Sequence, residues 1–201
     1  MSAILFKQPE AVFIHIPKTG GKTVRALWGG DIKAQVSKGV MPDEWKDKYT
    51  FAFVRHPQTR LISAYNMFSK GTKHIESGVV VSRRVAPLKD ISFEDFVKKM
   101  FEEDDRDQKW SVTVHTLPMS DPYNLIKYAD FIGKQEKFKH DIKLIALDAG
   151  LRLDDNFPQV NVSEKDKTSM EVWDDLPANL KNKVLDYYEE DFTTFNYEER
   201  F

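Results

Sequence analysis

The stretch VFIHIPKTGGKT, Val12 to Thr23, decides the fold. Its first half is an apolar run of Val12, Phe13, Ile14 and Ile16, rich in β-branched residues and broken by Pro17, which reads as a buried strand. The chain then turns through Lys18, Thr19, Gly20 and Gly21 into Lys22-Thr23-Val24-Arg25-Ala26-Leu27-Trp28, a segment of helix-forming composition. A strand, a glycine-bearing turn and a helix in that order present backbone N–H groups at a helix N-terminus, where phosphate or sulfate binds. A plain surface turn could carry the same glycines and lysines, but here both flanking elements are well marked. The stretch reads as an anion cradle.

The nearest general pattern is the nucleotide phosphate loop G-x-x-x-x-G-K-[ST], whose second half is matched by Gly21-Lys22-Thr23. The first glycine of that pattern falls on Ile16, inside the strand. Lys18 stands within the loop instead, where its ammonium can lie against a bridging oxygen. The loop therefore suits phosphate without suiting an ordinary ATP site.

A second informative stretch is Tyr49-Thr50-Phe51-Ala52-Phe53-Val54-Arg55-His56-Pro57. Phe51 to Val54 read as a buried strand ending in Arg55, and Pro57 marks the first turn of a helix running to about Phe68. Leu61, Tyr65 and Phe68 share one face of that helix, and Thr59, Ser63 and Asn66 share a polar one. Arg55 and Ser63 can meet there, and a guanidinium with a hydroxyl suits a phosphate monoester. Taken alone, the pair reads as an ion-pair partner and a small packing residue. A magnesium-dependent NTPase would place an Asp where this strand ends in Arg55, so the second position asks for another anion rather than a metal. A nucleotide with two separate anionic groups fits, and 3′-phosphoadenosine 5′-phosphosulfate is such a nucleotide.

FIHIPKTGGKTV and FAFVRHPQTRLISAY resemble the two cofactor motifs of the 3′-phosphoadenosine 5′-phosphosulfate-dependent sulfotransferases, closest to their carbohydrate branch. Arg55, Pro57, Arg60, Leu61, Ser63 and Tyr65 all fall at family positions. The resemblance implies an α/β fold, a P-loop-like parallel sheet flanked by helices, with the cofactor across the carboxyl ends of the first two strands. It assigns Lys18, Thr19, Gly20, Gly21, Lys22 and Thr23 to the phosphosulfate, and Arg55 and Ser63 to the 3′-phosphate. Adenosine 3′,5′-bisphosphate would be the product, and no metal is required. Lys18 would neutralise charge on the leaving oxygen.

Gln108–Met119 is the source expected for a general base. Lys109-Trp110 stands where the resembling branch commonly has His-Trp, and the imidazole appears at His115, whose ordinary pKa suits proton removal from a hydroxyl. His15 is the second candidate; His56, His74 and His140 are less well placed. Tyr128–Gly133 reads as a third strand, leading through Gln135 and Glu136 to a helix that Gly150 closes. Glu136 is read first as a structural or capping residue. Lys165 and Lys167 lie in a polar loop that in relatives folds over the cofactor.

At 201 residues and 41% hydrophobic content, the chain can bury a substantial core, and it reads as one domain, residues 1–201, with a basic insertion around residues 69–90. Net charge is -2, which argues against a nucleic-acid partner. There is no cysteine, hence no disulfide, which fits a reducing compartment. No apolar run approaches the ~20 residues of a membrane span, so the expectation is a cytoplasmic, soluble protein, with a truncated membrane-anchored form the alternative.

Residues 31–48 read as a polar connection with a helical start near Pro42–Trp45. Ser69–Asp90 reads as a basic loop with a short strand at Val79–Val81, suited to an acidic glycan carrying the acceptor hydroxyl. Ser92 caps a helix ending near Phe101. Pro177 opens the last helix, with Leu180, Val184, Tyr187 and Tyr188 inward. Two other functional classes share some of these features: a phosphate-loop kinase or NTPase, and a non-catalytic module binding an anion or glycan.

Overall fold

The computed structural model describes residues 2–7, 9–37, 39–76, 79–84, 87–104, 111–153 and 167–199, of which 37, 72–76, 79–84 and 167–170 are described by backbone alone. Among the described residues, seven strands and eight α-helices follow in the order β1 (Ser2–Phe6), β2 (Ala11–His15), α1 (Gly21–Trp28), β3 (Ile32–Ser37), β4 (Tyr49–Val54), α2 (Pro57–Lys70), β5 (Thr72–Glu76) and β6 (Val79–Arg84). They continue with α3 (Phe93–Glu102), α4 (Val112–Thr116), β7 (Phe131–Lys134), α5 (Phe138–Ala149), α6 (Lys167–Asp174), α7 (Ala178–Tyr187) and α8 (Glu189–Thr194).

The main sheet has the order β3-β1-β2-β4-β7. β2, β4 and β7 run parallel, pairing Phe13 with Phe51 and Phe53 with Gly133. The expected parallel, helix-flanked α/β core is therefore present. β1 runs antiparallel to both β2 and β3, so the whole sheet is mixed.

Strand alternation divides the apolar residues between two faces. Phe6, Phe13, Phe51 and Phe53 pack with Trp28 of α1 and Phe138, Ile142 and Ile145 of α5. Val12, Ile14, Ala52 and Val54 pack on the other side with Trp45, Met119 and Phe195. A third cluster joins Leu61 and Phe68 of α2 to Phe96 and Met100 of α3, Val112 of α4, and Val184 and Tyr188.

Several expectations change in extent. Residues 32–37 form β3 where a polar connection was expected; a register shift opposite Leu5 and Phe6 sends Ile32 to one face and Ala34 and Val36 to the other. The basic segment after α2 is a β5–β6 hairpin that includes the expected short strand. The third parallel strand starts later than expected, because Ile126–Tyr128 form a 3-10 turn. The expected cap at Ser92 is present, its hydroxyl accepting from Asp95 N at 3.0 Å.

Gly133 explains how β7 closes against β4. A Cβ there would lie 2.6 Å from the Phe53 ring, which itself stacks on Phe138 at 4.5 Å between centroids. A side chain at this position must displace that ring, and overpacking of this kind costs roughly 1–3 kcal/mol. Gly133→Ala is expected to lower the melting temperature by roughly 2–10 °C for a chain of this size. Adding Phe53→Leu should return part of the loss, and two independent, additive losses in thermal denaturation would refute this account of the glycine.

Candidate anion-binding site

The carboxyl ends of the neighbouring strands β2 and β4 each lead through a short connection into the start of a helix, and the candidate residues stand there. After β2 the chain closes on itself through Thr19, whose fully buried hydroxyl donates to Ile16 O at 2.9 Å. Lys18 adopts φ 71°, an uncommon left-handed conformation for a residue with a side chain. Gly20 follows at φ 101° and starts α1 with no side-chain cap on its first turn. Gly21 has another reason to be glycine: a Cβ would fall 2.1 Å from the His15 ring. Thr23 is buried and Lys22 exposed.

Arg55 leaves β4 toward this loop. Its Nε donates to Thr59 Oγ1 at 3.0 Å, and its Nη1 reaches Lys18 O at 3.5 Å. Ser63 stands half-buried one turn beyond Thr59 on the same face of α2. Arg55, Thr59 and Ser63 thus form one row leading away from the loop. The Arg55 backbone N–H faces Met119 Sδ at 3.4 Å, which ties the strand end to the segment following α4.

Arg60, one turn into α2, is 1% exposed. Its Nε donates to Pro17 O at 3.0 Å and its Nη1 to Leu117 O at 2.8 Å, while Nη2 is buried with no hydrogen-bond partner among the described residues. The family resemblance includes Arg60 in its second motif without assigning it a role; the signal for one is an arginine on the otherwise apolar side of a helix.

These cations act on one another. The Lys18 ammonium is pushed down to about 7, first by burial and then by the charges of Lys22, Arg55 and Arg60. An ammonium held this way gains from any anion that enters, because the anion offsets both the burial and the repulsion.

The two candidate bases flank the loop. His115, on α4, is 6% exposed, its Nδ1 bonded to Ser111 O at 3.0 Å and its ring edge-on to Phe68 at 5.4 Å. Burial, with added repulsion from Lys18 and Arg60 and against the pull of Ser111 O, brings its pKa down to about 4. His15 stacks on Phe13 and is pushed down to about 3 by burial, then by Arg25 and other positive neighbours. Both imidazoles are neutral at pH 7, the protonation state in which a histidine accepts a proton.

Glu136 proves to be an anchor. Its Oε1 accepts from His56 N at 2.8 Å and its Oε2 from Tyr197 OH at 2.9 Å, locking the residue after Arg55 to the C-terminal segment. His56 reaches Glu198 O at 2.9 Å through Nε2 and packs edge-on against Phe192 and Tyr197. His140 lies on the outer side of α5 beside Asp141. Lys109, Trp110 and Lys165 lie outside the described residues, and for His74 and Lys167 only the backbone is described. Among the described residues, no group of three His, Cys, Asp or Glu side chains is placed to hold a metal ion, and no helix is long and apolar enough to cross a membrane.

Comparison with known proteins places the chain in a family. Residues 30–198 match the profile described as "Sulfotransferase family", so the chain belongs to the sulfotransferase family. Carbohydrate sulfotransferase 11 of Rattus norvegicus and of Mus musculus are each 28% identical over 172 residues, covering 76% of this chain and 47% of the relative. The chain thus spans about half the length of the curated relatives it matches. No solved structure matches it. The family match includes Arg55, Arg60, Ser63 and His115 but begins after the Lys18 loop.

The low value for Lys18 carries a sign for stability. Between about 7 and the ordinary lysine value of 10.5, the unfolded chain holds a proton that the folded chain releases, so this residue's contribution to stability rises with pH across that window. Below about 7 the charged form is a full cost to folding. Lys18→Met is therefore expected to melt above the wild type near pH 6 and to lose that advantage toward pH 10. Equal melting temperatures throughout, measured in one buffer series, would show that the folded surroundings do not disfavour the charged Lys18 ammonium.

Proposed function

We propose that the chain transfers a sulfuryl group from 3′-phosphoadenosine 5′-phosphosulfate to a carbohydrate hydroxyl. The observation that carries the proposal is the convergence of Lys18, Lys22 and Arg55 on the carboxyl ends of two adjacent parallel strands, beside the buried Arg60. Such a concentration of charge calls for a ligand that is anionic at more than one place. The Lys18 loop, with the uncapped start of α1, suits the 5′-phosphosulfate through Lys18, Gly20, Gly21, Lys22 and Thr23. Thr19 would serve that loop through its backbone, since its hydroxyl is committed to Ile16 O. Arg55, at the end of β4 and bonded to Thr59, and Ser63, one turn beyond Thr59 on α2, would take the 3′-phosphate.

In the reaction, the acceptor oxygen forms a bond to sulfur as the bond from sulfur to the 5′-phosphate oxygen breaks. The departing bisphosphate keeps the electron pair, Lys18 stabilises its charge, and neutral His115 takes the acceptor proton. We assign residues 1–201 to one catalytic unit. The β5–β6 hairpin, which brings Lys73 opposite Arg83 in register, would line the acceptor side and favour an acidic glycan. The name of the matched relatives, carbohydrate sulfotransferase, supports a sugar acceptor.

Thermal shift with adenosine 3′,5′-bisphosphate against magnesium ATP tests the donor. Stabilisation by the bisphosphate alone is expected, and a response to magnesium ATP alone would favour a kinase. Loss of a group that stabilises developing charge typically costs ~10²–10³ in rate, so Lys18→Ala is expected to lower kcat by at least that factor. Unchanged turnover would remove Lys18 from the chemistry. A charged hydrogen bond contributes roughly 1.5–3 kcal/mol, so Arg55→Ala is expected to weaken bisphosphate binding by roughly 10- to 100-fold in calorimetry. Equal affinity would defeat the 3′-phosphate assignment.

A further inference from the structure

Arg60 occupies a place that simple packing does not explain. It is among the largest fully buried side chains of the protein, and it is a cation. No carboxylate pairs with it directly in a described salt bridge; Asp191, the acidic group whose charge it influences, spends its two oxygens on the backbone N–H groups of Met119 and Ser120 at 2.8 Å each. Two of its nitrogens instead hold carbonyls from two different parts of the site, and the third is left without a partner among the described residues. Burying a charged donor without a partner is costly, so a purely structural residue here would be better replaced by an apolar one.

The two carbonyls show what the guanidinium connects. Pro17 O immediately precedes Lys18 in the candidate phosphosulfate loop, and Leu117 O is two residues beyond His115 at the end of α4. The flat, forked guanidinium fixes both directions at once, which a single ammonium cannot do. The far side of the same segment is also held, by Tyr188 OH on Thr116 O and by Asp191 on Met119 N and Ser120 N. The helix carrying His115 is therefore anchored to the helical layer behind it and joined to the anion loop through one side chain.

We propose that Arg60 is a positioning residue that sets the separation between the anion loop carrying Lys18 and the helix carrying His115. The proposal rests on the sulfotransferase reading above for the roles of those two residues. Arg60 touches neither donor nor acceptor in this scheme. It aligns the group that receives the leaving charge with the group that receives the proton, and small misplacements of such groups cost rate more than binding.

Arg60→Lys tests this because it retains the charge and removes the fork; Arg60→Met, which removes both, is the second variant. In the purified full chain, folded Arg60→Lys is expected to bind adenosine 3′,5′-bisphosphate within about 3-fold of the wild type while kcat falls roughly 10- to 100-fold. Inorganic sulfate followed on the His115 ring resonances supplies a readout that does not depend on turnover. Sulfate should shift those resonances in the wild type, and the shift should be lost in Arg60→Lys although the variant still binds sulfate. Wild-type kcat in folded Arg60→Lys, persistence of the His115 response, or loss of folded protein in both variants would overturn the proposal. Failure of the wild type to bind the bisphosphate would instead defeat the functional reading, so the two failures are distinguishable.

Discussion

The constraint on which this structure turns is electrostatic: positive side chains are gathered at one end of a sheet faster than negative ones are supplied to match them. Lys18 sits among Lys22, Arg55 and Arg60, and no acidic group is among those that set its ionisation. Neighbouring carboxylates are otherwise engaged. Glu136 binds His56 N and Tyr197 OH, and Asp191 binds two backbone N–H groups. Their oxygens hold the scaffold in place, Glu136 pulling on the Arg55 charge as it does so, and none of them is among the groups that set the ionisation of Lys18. Such an arrangement is unfavourable for the empty protein and favourable for a multivalent anion, a trade of stability for recognition.

The scaffold tolerates this strain because the apolar layers around it are continuous. Phe13, Phe51 and Phe53 line one face of the central strands with Trp28 and Phe138, and the opposite face closes over Trp45 and Met119. Met119 belongs to both worlds, packing in the second layer while its sulfur meets the Arg55 N–H. Strand ends fixed from both faces leave the loops little freedom to collapse onto one another and bury their charge.

Much of this was legible in the residues themselves. The parallel strands β2 and β4 and the helices after them announce themselves through apolar runs stopped by Pro17 and Pro57, because strands buried on both faces leave few alternatives. β3 did not, since Lys33 and Gln35 dilute the signal and the bulge opposite Leu5 breaks its alternation. β1 was equally hidden: SAILF is short, and one of its two partners, β3, follows only after β2 and α1. Within the site, Arg55 was readable as the end of a buried strand, Ser63 from helical spacing, and the loop from its glycines. Arg60 was not, because its meaning lies in carbonyls 43 and 57 residues away along the chain. Thr19 was read as a ligand contact although its hydroxyl is used to close the turn, a choice made by burial that composition cannot convey.

The clamp at Glu136 has a bearing on how the protein comes to be made. The residue that follows Arg55 is tied through its ring to Glu198 O, 142 positions later, and through Glu136 to Tyr197. During synthesis the strands and the glycine turn leave the ribosome long before those partners exist. A nascent chain can pair β2 with β4 early, yet the guanidinium end of the crevice gains its final fastening only when Tyr197 and Glu198 have followed, the latter 142 positions after His56, which makes completion of the binding crevice a late event in biogenesis.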